Sequence, residues 1–295
     1  MSHDHLDRRS VIAAALAAAC SPRTPRVREA EPPAEVDLFA RVEADLGGRL
    51  GVFALDTGSG RQLARRADER FAMCSTFKWA LAAAVLARVD EGELALGRQI
   101  PFGEADLLEY APVTRAAVAR GQMSVEELAA ATVTLSDNTA ANLLLPLVGG
   151  PQGLTAFFRQ LGDGVTRLDR NEPTLNTNLP RDARDTTSPR AMVSSLRAVI
   201  SGAGLKPANR ERLLGWLLSS TTGRNRLRAG LPPSWIAADK TGTCSRGAAN
   251  DVAVVWPPGR HPILIAAYSS DSTRALAQLD AAHAEIGRLI AVAFG

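Results

Sequence analysis

The spacing of apolar residues changes several times along the chain. Val36, Leu38, Phe39, Val42 and Leu46 recur at helical intervals and predict a helix over Val36–Gly47. Arg49–Leu55 alternates as a strand. Asp56-Thr57-Gly58-Ser59-Gly60 is turn chemistry, and Arg61–Arg65 reads as the returning strand of a hairpin. From Thr76 to Val89 the chain is rich in Ala and Leu and apolar nearly all round, which predicts a buried helix closed by Gly92. Ile100–Ala119 is less regular, with Tyr110-Ala111-Pro112 in a loop. Ser124 followed by Glu127 is a capping box, and its helix runs to about Leu135. Ser136-Asp137-Asn138 interrupts it. Helix resumes over Thr139–Leu147 until Gly149-Gly150-Pro151, and a short helix follows over Leu154–Leu161, closed by Gly162. Leu168–Ser188 is polar and aperiodic; a loop of that length inside a compact fold usually serves function. Pro189–Ser201 and Asn209–Ser219 are predicted helices. Three strands come next, Trp235–Thr243, Asn250–Pro257 and Pro262–Ser269. An amphipathic helix from about Thr273 to Phe294 ends the chain.

Strands at both ends and helices between them predict an α/β part plus an all-α part. An antiparallel sheet flanked by helices is built from both chain ends, with a helical domain inserted. The expected division is residues 36–74 and 220–295 for the sheet part and 75–219 for the helical part, which includes the 168–188 loop. Clefts favour such junctions.

Composition narrows the class. The 295 residues suffice for a sizeable core, and 46% hydrophobic with 22% charged is ordinary for a globular protein. The net charge is only +3, and the arginines are scattered without interleaved aromatics, so nucleic acid is not an expected partner. The N-terminus reads differently from the rest. Arg8-Arg9 followed by an apolar run to Ala19 reads as an export signal of the twin-arginine type over residues 1–20. Cys20 after Ala17-Ala18-Ala19 resembles a lipoprotein processing site, although Leu16 stands one place early; plain cleavage after small residues is the alternative. The run is too short for a membrane span. Residues 21–35, rich in Pro, Arg and Glu, read as a flexible tether. The expected location is a periplasm. With Cys20 assigned to the leader or a lipid anchor, Cys74 and Cys244 remain as a pair. Four histidines, His3, His5, His261 and His283, show no zinc-ligand spacing and no support for a Ser-His-Asp triad. No metal, no organic cofactor and a monomer are expected.

The candidate chemistry starts at Cys74-Ser75-Thr76-Phe77-Lys78. At a helix start, Ser75 lies among orphan backbone N–H groups, and Lys78 follows one turn later on the same face. Such a serine is either a cap or a nucleophile with an amine neighbour and oxyanion donors. Three further polar clusters stand apart in sequence. They are Ser136-Asp137-Asn138, the run Arg170-Asn171-Glu172-Pro173-Thr174-Leu175-Asn176 in the long loop, and Lys240-Thr241-Gly242-Thr243 on a strand.

Together, and in this order, these motifs resemble those of the class A serine β-lactamases over the chain from about Val36 to its end. The resemblance implies Ser75 as nucleophile of an acyl-enzyme and Lys78 as proton handler between Ser75 and Ser136. Ser136 would be proton donor to the lactam nitrogen, and Lys240 would tune the field around it. Glu172 would activate the deacylating water, held by Asn176. It implies an oxyanion hole from the backbone N–H groups of Ser75 and Thr243. It implies carboxylate contacts from Lys240, Thr241 and Thr243, backed by Arg226, with Arg228 the competing arginine. Asn138 would hold the acyl-amide side chain, and Tyr110 would be an aromatic gatepost at the rim, the alternative being an ordinary exposed tyrosine. An Arg170–Asp185 ion pair and a cis Glu172–Pro173 bond are also implied. The substrates would be penicillins, cephalosporins and, from the likeness of Cys74 and Cys244 to the disulfide of class A carbapenemases, carbapenems; two free thiols are the alternative. A DD-peptidase acting on peptidoglycan shares the fold, but Glu172 and Asn176 argue against it. A non-enzymatic β-lactam sensor needs a transmembrane partner domain, and this sequence offers none.

Overall fold

A computed structural model describes residues 37–202 and 204–295. The expected export signal, tether and Cys20 anchor lie outside the described residues. Helix α1 (Ala40–Leu46) begins later than its apolar pattern and ends at Gly47, whose left-handed backbone returns its N–H to Glu43 and Ala44. The hairpin β1 (Arg49–Asp56) and β2 (Gln62–Arg65) follows as expected. Then come β3 (Phe71–Ala72), a 3-10 turn over Cys74–Thr76, and α2 (Phe77–Asp90). The next elements are β4 (Gln99–Pro101), α3 (Pro112–Ala117), β5 (Gln122–Ser124), α4 (Val125–Thr134) and α5 (Asn138–Leu144). After α6 (Gly150–Gln160) the long loop carries one 3-10 turn, Thr174–Thr177, and the strand β6 (Thr186–Thr187). Helices α7 (Pro189–Ser201), α8 (Pro207–Leu218) and α9 (Leu227–Gly230) lead to β7 (Ile236–Cys244), β8 (Ala248–Trp256), β9 (Ile263–Ser270) and α10 (Leu276–Phe294).

The main sheet runs β2-β1-β9-β8-β7, antiparallel throughout, so both chain ends build it. Period two divides its side chains. Leu50, Val52, Ala54, Val255 and Ile265 pack with Phe39 of the α1 entry and with Leu279, Ile286, Ile290 and Phe294 of α10. Phe53, Leu55, Val252, Val254, Leu264 and Ala266 belong to a larger core that takes in α2, α4 and α7. Every residue of α2 from Phe77 to Leu86 is buried, as a helix without a polar face requires. Residues Asp37–Gly295 make one compact unit. Among the described residues no helix is long and apolar enough to cross a membrane.

The departures from the sequence reading have local causes. Pro112, read as loop, is at the first turn of α3, where its missing N–H costs nothing. Pro151 plays the same part in α6, which therefore starts earlier than Leu154. Pro146 ends α5 early and leaves a 3-10 turn over Leu145–Val148. The pairs β3–β6 and β4–β5 are two and three residues long, too short to show alternation. The long loop is closed at its base. Arg170 Nε meets Asp185 Oδ2 at 2.6 Å, and the backbone N–H groups of Asp169 and Arg170 donate to Asp185 Oδ1. The Glu172–Pro173 bond is cis, as expected.

Candidate active site

Ser75 sits in the 3-10 turn that leads into α2. Three side chains hold that turn from below. Asn250 Nδ2 donates to the carbonyls of Ala72 (2.9 Å) and Met73 (3.1 Å), and Thr76 Oγ1 donates to Met73 at 2.8 Å while also meeting the buried Tyr268 hydroxyl at 3.2 Å. Cys74 is left-handed, with φ 46°. A non-glycine residue in that region costs about 1–3 kcal/mol, so the surrounding bonds must over-determine it. Strand β7 passes directly against the turn. A Cβ on Gly242 would stand 2.7 Å from the Met73 carbonyl oxygen and 3.0 Å from the amide nitrogens of Ser75 and Thr76. Only glycine fits there. Two residues further, β7 ends at Cys244, which is disulfide-bonded to Cys74. The strand at Gly242, next to Thr243, is thereby set against the Ser75 amide.

Five side chains form a continuous line through the site. Ser75 Oγ donates to Glu172 Oε1 at 3.3 Å. The same carboxylate oxygen lies 3.0 Å from Lys78 Nζ. Lys78 donates onward to Ser136 O (2.9 Å), Ser136 Oγ (3.4 Å) and Asn138 Oδ1 (2.5 Å). Lys240 Nζ reaches Ser136 Oγ from the other side at 3.0 Å and also bonds the Thr241 carbonyl at 2.7 Å. The expected proton handler thus bonds Ser136 directly, while the bond from the Ser75 hydroxyl goes to Glu172. Glu172 is a buried carboxylate, not a solvated loop acid. Its second oxygen accepts from Asn176 Nδ2 at 2.5 Å.

Both lysines are buried, and burial lowers both from the ordinary lysine range. For Lys78 the loss of solvent is opposed by Glu172. Lys240 is pushed down to about 7, by burial first and then by the charge of Lys78. A folded-state value below the unfolded one means Lys240 loses its proton as pH rises through about 7.

On the far side of β7, Arg226 is buried. It donates to the carbonyls of Gly242 and Asn250 (2.8 Å each) and to Thr243 Oγ1 (2.6 Å), and pairs with Asp280 at 2.7 Å. Arg228 instead pairs with Asp239. Arg226 is therefore the arginine behind Thr243. Thr241 Oγ1 donates to Thr222 Oγ1 at 2.6 Å. Tyr110 is 50% exposed, and its carbonyl accepts from the Asn138 N–H at 3.0 Å, so it stands beside Asn138. Asp137, the middle of its motif, turns away: it caps α5 through Ala140 N and takes the N–H groups of Val113 and Thr114 at the start of α3.

Hydrogen bonds and ion pairs join Ser75, Lys78, Ser136, Asn138, Glu172, Asn176 and Lys240 into one network, and Tyr110, Thr241, Thr243 and Arg226 flank it. Three others escaped notice. Asn142 on α5 grips the Glu172 backbone in both directions, donating to its carbonyl at 2.9 Å and accepting its N–H at 3.1 Å. Asn250 and Thr222 support the Ser75 turn and Thr241. Each is a single polar residue without a spacing pattern, so nothing in the sequence marks it. Among the described residues no group of three or more His, Cys, Asp or Glu is placed to hold a metal ion.

The chain matches the Beta-lactamase enzyme family over residues 36–294. The chain belongs to the class A β-lactamase family. It is 48% identical to Beta-lactamase AST-1 of Nocardia asteroides, over 98% of this chain and 96% of that one. It is 50% identical to the Carbapenem-hydrolyzing beta-lactamase KPC of Klebsiella oxytoca, over 78% of this chain and 79% of the relative. The solved structure of a class A β-lactamase described as the last common ancestor of Gram-negative bacteria superposes with a TM-score of 0.86 at 55% identity, covering 87% of this chain and 98% of that one. This β-lactamase carries the disulfide of the carbapenemase-type subgroup.

The disulfide closes a loop of 170 residues. In the chain-entropy account a crosslink of that span contributes about 5 kcal/mol. Cys74→Ser with Cys244→Ser is expected to lower the melting temperature by roughly 10 °C. Scanning calorimetry checks this; an unchanged midpoint would show that the bond does not constrain the fold.

Proposed function

We propose that this β-lactamase hydrolyses penicillins, cephalosporins and carbapenems through an acyl-enzyme on Ser75. The observation that carries the reading is the double engagement of Glu172. One oxygen touches Ser75 Oγ and Lys78 Nζ, and the other holds the Asn176 amide. A carboxylate so placed serves a water molecule that attacks an ester on Ser75.

In acylation the Ser75 oxygen bonds the lactam carbonyl carbon and gives its proton to Glu172 or Lys78. The backbone N–H groups of Ser75 and Thr243 receive the oxyanion. The ring C–N bond breaks, and Ser136, re-protonated from Lys78 or Lys240, gives its proton to the nitrogen. In deacylation Glu172 takes a proton from water, the hydroxyl bonds the acyl carbon, and the Ser75 oxygen leaves with a proton. Lys240, Thr241 and Thr243, backed by Arg226, bind the substrate carboxylate. Asn138 and the Thr243 backbone take the acyl-amide, with Tyr110 at the rim.

Carbapenem turnover is supported by the Cys74–Cys244 bond and by the likeness to a relative named as carbapenem-hydrolysing. The cleft lies at the junction of the sheet part (36–74, 220–295) and the helical part (75–219). We read the enzyme as a monomer. Residues 1–20 would export the enzyme to the periplasm, where it confers antibiotic resistance; N-terminal sequencing of the exported protein tests this. Steady-state hydrolysis of nitrocefin and imipenem tests the reaction. One burst of acylation without turnover would overturn it, and turnover of nitrocefin but not imipenem would remove the carbapenem part.

The Lys240 proton gives the pH dependence. A carboxylate substrate needs the charged form, and the free enzyme loses that form above pH about 7. Bound carboxylate holds the proton on. We expect kcat/KM to fall above neutrality while kcat stays flatter, so that KM rises. Lys240→Arg, which cannot lose its charge, should flatten the alkaline limb of kcat/KM. An identical limb in both proteins would assign it to another group.

A further inference from the structure

The segment bearing Glu172 and Asn176 does not only close on itself. Its 3-10 turn ends at Asn178, a left-handed residue with φ 44° and ψ 48°. Asn178 Nδ2 donates to the Ser245 carbonyl at 3.0 Å and to Ser270 Oγ at 3.1 Å. Ser245 follows Cys244 in the turn between β7 and β8, and its own N–H donates to the Asn176 carbonyl at 3.2 Å. Ser270 ends β9 and donates back to Asn178 Oδ1 at 3.4 Å. One side chain thus ties the catalytic loop to two strand ends of the main sheet. On the loop side, Asn176 and Glu172 are two and six residues away. On the sheet side, Thr243 is two residues from Ser245.

We propose that Asn178 is a positioning residue for deacylation: it straps the Glu172–Asn176 segment to the oxyanion strand and sets the distance between the attacking water and the acyl carbon. This rests on the acyl-enzyme reading above. The strap acts on one half-reaction for a geometric reason. Ser75, Lys78, Ser136 and Lys240 sit outside the loop, and Lys78 and Lys240 both bond Ser136. Glu172 reaches Ser75 and Lys78 from the loop, but Lys78 can take the Ser75 proton without it, whereas the water is served by the loop's Glu172 and Asn176. The Arg170–Asp185 pair fixes the base of the loop but leaves its tip to other contacts. Asn142 holds the Glu172 backbone, and Asn178 supplies the side-chain contact to the sheet; asparagine suits the place because it tolerates the left-handed backbone while presenting both a donor and an acceptor.

Asn178→Gly removes the strap and keeps the backbone conformation. Asn178→Asp keeps size and backbone but sets an acceptor against the Ser245 carbonyl. Each is mixed with nitrocefin in a stopped-flow instrument, and the acylated fraction at steady state is read by intact mass. We expect the acylation phase within about twofold of the parent and deacylation slower by roughly tenfold, with acyl-enzyme accumulating, since a displacement of the order of 1 Å at a reacting water has effects of that size or larger. Ser270→Ala, which removes one of the two anchors, should fall between. Unchanged partitioning in both Asn178 proteins would overturn the proposal. So would equal slowing of both phases, which marks a general loss of structure. If Asn178→Gly does not fold, Asn178→Asp and Ser270→Ala decide by the same readout. Failure of the underlying reading looks different, because the parent enzyme itself would then show no turnover.

Discussion

Glu172→Gln is expected to give an enzyme that acylates and then stalls. The substitution keeps the length of the side chain and the amide contact available to Asn176, but it removes the carboxylate that touches both Ser75 and Lys78. Acylation survives because of what happens to Lys78. Burial lowers its proton affinity, and Glu172 is the group that opposes this. Without that carboxylate the amine is more readily neutral, and a neutral amine beside Ser136 and near Ser75 accepts a proton. Deacylation has no such substitute, since Lys78 faces Ser136 and Asn138, not the Asn176 side. Loss of a positioned general base is expected to cut kcat by roughly 10³-fold. Intact mass after mixing with a penicillin should show a lasting adduct on Ser75. Regeneration of free enzyme at the parent rate would show that another group activates the water.

Gly242→Ala has the second large expected effect, on both halves of the chemistry. The added methyl would overlap the Met73 carbonyl at 2.7 Å and crowd the amides of Ser75 and Thr76 at 3.0 Å. All three atoms are backbone, so no rotamer relieves the contact. The turn cannot retreat, because Asn250 and Thr76 hold the Met73 carbonyl from below and the Cys74–Cys244 bond limits how far β7 can move away. The N–H groups of Ser75 and Thr243 must then spread. An oxyanion donor out of place costs about 3 kcal/mol, or roughly 10²-fold in the acylation rate. The adduct should form slowly and also clear slowly, because attack of water on the Ser75 ester builds an oxyanion at the same two N–H groups. Acylation at parent speed would mean that the two N–H groups are not the oxyanion site.

These two residues also show what the sequence reveals and what it hides. Glu172 was legible because chemistry at a distance needs particular residue types: a carboxylate with an amide four places on, in a long polar loop. Gly242 was legible only as a letter in a motif. The reason for it, a strand lying on a helix start, exists only once β7 is placed. The sheet and most helices followed from period and capping, since Ser124 with Glu127 or an all-apolar Thr76–Val89 permit few alternatives. Elements that proline shapes from inside, such as α3 and α6, were misjudged because proline breaks a helix anywhere except its first turn. Asn142, Asn250 and Thr222 were invisible, because a lone polar residue acquires a role from what it faces.

The strand order has a further consequence for the timing of synthesis. Strand β1 pairs on one side with β2, made at once, and on the other with β9, made long after both. While the ribosome is still adding residues, the N-terminal hairpin has one unsatisfied edge, and the turn bearing Ser75 lacks both Asn250 and Gly242 beside it. The nucleophile is therefore built early and armed late. A chain stalled or truncated before β9 would hold a complete Ser75–Lys78 helix and no working enzyme, and its open sheet edge would be a site for aggregation. Chaperone capture of nascent chains should persist until the last strand has left the exit tunnel.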